Sequence, residues 1–115
     1  MSADTEYLTA MHAAMAGRSL DAGLSEADRV PHLTQLYREL LETCRGLSPA
    51  GQLSEAHAEI VFVSEEMLRR LRMATTLGEL TAATEDLREI VERGAAAFRV
   101  LQRESDRLGL GLSFR

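Results

Sequence analysis

Apolar positions recur every three or four residues along most of this chain, the spacing that places them on one face of a helix. Tyr7, Leu8, Met11, Ala14 and Met15 share a side, which predicts a first helix from Asp4 to Gly17. Gly17 and Gly23 bracket a loop. Ser25 with Asp28 reads as a capping box. Pro31 then interrupts the pattern, because an interior proline removes a hydrogen bond and clashes with the preceding turn. A short turn is therefore expected over residues 25–30, with a second helix from there to Arg45. Its stripe is Leu33, Leu36, Tyr37, Leu40, Leu41 and Cys44. Gly46 fits a helix C-cap. Ser48 as N-cap with Pro49 at the first helical position predicts the restart of a third helix. That helix reaches Ala74 on the stripe Leu53, Ala56, Ile60, Val63, Met67 and Leu71.

Thr76 with Glu79 is a second capping box and opens a fourth helix that continues to Leu108. At a rise of about 1.5 Å per residue it spans about 48 Å. Its stripe is Leu80, Leu87, Val91, Gly94, Phe98, Leu101 and Leu108, and the seven-residue spacing within it suits supercoiled packing. No segment alternates like a buried strand. The pattern predicts an all-α chain: a four-helix antiparallel bundle with a short first helix and a long C-terminal one. The far half of that last helix would lack neighbours within one chain, so dimerisation is expected to complete the core. Residues 1–108 form the single domain of this reading, and residues 109–115 form an apolar tail of Gly and Leu.

Composition narrows the setting. The 115 residues suit one domain, and 45% apolar with 27% charged is ordinary for a globular chain. No apolar run is longer than Ile60-Val61-Phe62-Val63, far below the ~20 residues of a membrane span. The N-terminal residues lack a basic start followed by an apolar stretch, so no secretory signal is read. A single cysteine allows no internal disulfide, which points to a reducing cytoplasm. All 13 basic residues are Arg, and Lys and Asn are absent, which points to a bacterial source with GC-rich codons. The net charge of −5 disfavours nucleic acid and anionic membranes as partners.

Candidate chemistry is sparse. The sequence has no Gly-rich phosphate loop, nucleophile elbow or zinc-protease motif. His12, His32 and His57 lack the Glu-x-x-His spacing of a di-metal bundle, so no metal ligand is assigned. His57 is expected at the edge of the third stripe and Cys44 in the core as an inert thiol. Arg69, Arg70 and Arg72 fan around the third helix, and the pairs Glu65–Arg69, Glu66–Arg70 and Glu89–Arg93 are expected one turn apart. The small run Gly94-Ala95-Ala96-Ala97 marks a close helix crossing, expected within the chain. Phe62 points about 150° away from its helix's stripe, with Met73 on the same side. Either the first helix or the chain end covers Phe62, or it marks a second interface.

The residues from Leu108 to Arg115 alternate large apolar side chains with Gly or Ser. Gly109 ends the helix, and the rest reads as a short extended segment. It either folds back over its own bundle or lays Leu110, Leu112 and Phe114 into a groove on a partner. These eight residues resemble the Leu/Ile-Gly tags that load cargo into encapsulin shells, without the flexible linker that precedes such tags. The resemblance implies an encapsulin-type cargo protein.

The expectation is a non-catalytic interaction module: an assembly subunit, adaptor, chaperone or regulator. It has no cofactor, and its partners are a second copy of itself and another protein. Phe62, Met73, Leu110, Leu112 and Phe114 are the contact residues of this reading. A cargo or cofactor-binding bundle and a nucleic-acid-associated regulator are the alternatives.

Overall fold

The computed structural model describes residues 2–15, 25–74, 78–79 and 87–114. Within them the chain forms four helices: α1 (Ala3–Met15), α2 (Glu26–Arg45), α3 (Gln52–Leu71) and α4 (Leu87–Leu108). Among the described residues there is no strand. No helix among the described residues is long and apolar enough to cross a membrane. The loop between Gly17 and Gly23 and the helix start expected at Thr76, with Leu80, lie outside the described residues.

The helix starts differ from the sequence expectation in two places. Residues 25–30 are not a separate turn: α2 begins at Glu26 and runs through Pro31. Ser25 supplies the start, its hydroxyl accepting from the Asp28 amide at 3.3 Å and donating to the Asp28 carboxylate at 2.7 Å. Val30 anchors these first turns in the core at 6% exposure, while the proline ring stays on the exposed side. The cap and this anchor together outweigh the one hydrogen bond that Pro31 cannot make. The second difference is at Ser48-Pro49, which does not start α3. Gly51, at φ 63, turns the chain immediately before Gln52 and is the N-cap, without a side-chain bond. Gly46 caps α2 as expected.

α3 lies between α2 and α4 and packs extensively on both, whereas α1 packs on α2 and more sparsely on α4. Two apolar clusters result. One gathers Tyr7, Leu8 and Met11 of α1 with Leu40, Cys44, Leu53, Ile60, Ala97, Leu101 and Phe114. The other joins Val30, Val63, Met67, Leu71, Ala74 and Ile90. Every residue of the expected α3 stripe is buried.

The α4 stripe is shifted from the expected one. Val91 is 49% exposed, and the buried line is Ile90, Gly94, Ala97, Leu101 and Ser105. Its steps of three and four residues follow the natural helical period; of the expected seven-residue line, Gly94 and Leu101 are buried and Leu87 and Leu108 half-buried. Gly94 is where α4 meets α3. A Cβ built there would stand 3.2 Å from Val63 Cγ1, so the crossing uses the small residue within the chain. Replacing Gly94 with Val drives a branched side chain into Val63. We expect a loss of about 1–3 kcal/mol, read by urea unfolding.

Candidate functional site

The C-terminal tail is built into the fold. Gly109 adopts φ 67, a left-handed conformation that glycine enters without a Cβ clash. Its amide donates to Asp106 O at 3.2 Å and the Leu110 amide to Ser105 O at 3.0 Å, the paired bonds of a Schellman cap. The chain then turns back along α4. Two side chains of that helix take up its backbone groups. Gln102 Nε2 donates to Leu112 O at 3.0 Å, and the Phe114 amide donates to Gln102 Oε1 at 2.9 Å. The Leu112 amide donates to the hydroxyl of the fully buried Ser105 at 3.3 Å.

Phe114 is thereby seated against its own bundle at 6% exposure. It stacks on Phe98 with ring centres 6.4 Å apart and receives His12 edge-on at 5.9 Å. Leu110 and Leu112 pack half-buried on the same cluster. The far half of the last helix therefore has neighbours in the tail of its own chain.

This seating creates a groove of about 600 Å³ along the outer side of α4. Phe98 and Phe114 supply its aromatic surface, and Arg99, Gln102, Arg103 and Asp106 its polar one. Arg99 and Arg103 stand one helical turn apart. Neither forms an ion pair with a described carboxylate, and Asp106 instead accepts from Gln102 at 3.0 Å. Sequence reasoning missed this pair. The i, i+4 spacing was visible, but only the position of the tail turns it into one side of a groove.

Phe62 and Met73 lie elsewhere. Phe62 is 39% exposed. The Arg93 guanidinium of α4 sits 4.1 Å above its ring centre. The same guanidinium grips Glu59 of α3 through two hydrogen bonds of 2.9 Å, which hold that carboxyl below its ordinary range. Arg93 thus crosses to Glu59 for its hydrogen bonds, and the expected Glu89 adds only a longer-range attraction, because the bidentate fork and the ring are both available on α3. Glu66 likewise pairs with both Arg69 and Arg70, displacing the expected Glu65 contact. Met73 is 81% exposed just beyond the end of α3.

A small polar cluster joins α1, α2 and α3. Tyr7 Oη and His57 Nδ1 are 3.1 Å apart, with their rings edge to face. Burial lowers the His57 pKa from 6.5, and a hydrogen bond with the Cys44 backbone pulls the other way. The Cys44 thiol faces Met11 Sδ at 3.9 Å, and burial pushes it up to about 11. A thiol this reluctant to ionise is a poor nucleophile. Among the described residues, no three His, Cys, Asp or Glu side chains converge as a metal site would require. Comparison with protein-family models, with curated proteins and with solved structures finds no match to this chain.

Two outcomes follow from this geometry. Gln102→Ala removes both tail contacts of that side chain. The Phe114 amide should then exchange with solvent much faster, and stability should fall by about 1–2 kcal/mol. Hydrogen exchange resolved to single residues reads the first effect. The second concerns acidity. A histidine whose folded pKa lies below 6.5 binds its proton more readily when unfolded. Stability should therefore fall as pH drops through 6.5 towards the lower folded value. Thermal midpoints across this range should show a weaker fall in His57→Gln than in the parent chain.

Proposed function

We propose that this protein is a non-catalytic interaction module. In this reading it receives an acidic segment of a partner protein, bearing at least one apolar side chain, in the groove between α4 and its own tail. One observation carries the proposal: Arg99 and Arg103, without a described carboxylate partner, flank the Phe98–Phe114 pair. A guanidinium fork matches a carboxylate in shape and charge, and an adjacent aromatic surface rewards a neighbouring apolar side chain. The chain as a whole carries −5, so this is a local reversal of its charge. The groove's volume lies within the range of sites that bind ligands specifically.

The test is a titration of the full chain against short labelled peptides in which Glu or Asp alternates with Leu or Phe. Matched peptides carrying Gln and Asn serve as controls. The acidic series should bind, weaken with added salt, and lose about tenfold or more in affinity to the double variant Arg99→Glu, Arg103→Glu. Arg38→Glu, on the exposed side of α2, should leave it unchanged. Equal binding of the acidic and neutral peptides overturns the reading. So does tighter binding of a DNA duplex than of any acidic peptide.

A further inference from the structure

We propose that the C-terminal tail switches the groove on and off: seated on α4 it completes the site, released it dismantles it, so partner binding and tail seating are one equilibrium. This regulation rests on the reading that the groove receives an acidic segment. Phe114 supplies one of the two rings that Arg99 and Arg103 flank. Gln102, whose side chain holds the Phe114 amide, lines the groove beside them. A tail that leaves takes its ring with it and unties the Gln102 side chain.

The hold on the tail is slender. Beyond the helix cap, the backbone bonds at Leu112 and Phe114 go to two side chains, Gln102 and Ser105. The path of the tail also needs two residues in the left-handed region, Gly109 at φ 67 and Gly111 at φ 69. Glycine enters that region freely but loses the most freedom when fixed. Seating therefore sets the burial of Phe114 and these few bonds against the ordering of two glycines. Gly111 is the lever on that balance. It is exposed, it does not line the groove, and a Cβ built on it would meet nothing within 4 Å. A side chain there lies in open space, yet an L residue resists the left-handed backbone that seating requires. A partner that binds only the seated form binds more weakly in proportion to the seated fraction, and by reciprocity it must hold the tail down.

The experiment pairs two readouts on the full chain. One is affinity for an acidic peptide in which Glu alternates with Leu. The other is solvent exchange of the Phe114 amide with and without that peptide. Saturating peptide should slow the exchange in the parent chain. Gly111→Val, a branched residue poorly tolerated at positive φ, should lower the seated-to-released ratio about tenfold or more and weaken the peptide about threefold or more. Saturating peptide should restore most of the lost protection. Gly111→Asn, which accepts left-handed geometry better, should fall between the two. Gly51→Val places the same strain at φ 63, outside the tail, and should leave the peptide affinity unchanged. Equal peptide affinity in Gly111→Val and the parent, with the Phe114 amide less protected in the variant, overturns the switch and leaves the reading of the groove intact. Unchanged protection in Gly111→Val overturns the switch as well, as does a peptide that binds without slowing Phe114 exchange, or an equal loss of affinity in Gly51→Val. No binding of acidic peptide by the parent chain removes the reading of the groove and the switch together.

Discussion

The bundle closes because two side chains of α4, Gln102 and Ser105, hold the backbone of the tail. They act as a neighbouring strand would, meeting an amide or carbonyl at Leu112 and Phe114 that would otherwise need water. The need arises from a mismatch in length: α1 has 13 residues and α4 has 22. A helix that short cannot cover its longer neighbour, and α1 meets α4 only sparsely. Phe114 fills the remaining space by touching Phe98 on one side and His12 on the other. The tail is thus a wedge between the first helix and the last, and the groove beside it is a by-product of how the wedge is held.

The other organising contact is the crossing of α3 and α4. Gly94 lets the two backbones approach at Val63, and Arg93 one residue earlier reaches over to Glu59 and Phe62. The crossing is therefore packed on its inner side and tied by charge on its outer side. The outer tie is partly exposed to water, so its contribution to stability is small. Its larger effect is on the surface: it covers the face of an aromatic ring that sequence alone leaves bare.

Local pattern made much of this legible and distance hid the rest. The α3 stripe, the Ser25 cap and the small residue at the crossing all follow from spacings within a few turns, and all stand as expected. Pro31 misled because a proline in isolation breaks helices, and nothing local reveals that Val30 is anchored in the core. Val91 misled because its apolar side chain suggested a place in the stripe, whereas the helix buries Ile90 one residue earlier. The Tyr7–His57 contact, the Arg93–Glu59 fork and the seating of Phe114 join residues far apart in sequence. Each needed the tertiary arrangement to become visible. For the groove, the aromatic and basic residues of α4 were all in plain view, and the missing knowledge was which way the tail turned.

The wedge also has a consequence for how the chain comes into being. α1 is synthesised before the other three described helices, and the residue that packs against its His12 is Phe114. All of α2, α3 and α4 has to be joined before that contact can form. The second cluster, built from α2, α3 and α4 alone, is free of this delay. A nascent chain can gather that half while Tyr7, Leu8 and Met11 still await their last neighbour. Until then Tyr7, Leu8 and Met11 have only their neighbours on α2, α3 and α4, and the arrival of Phe114 completes the set.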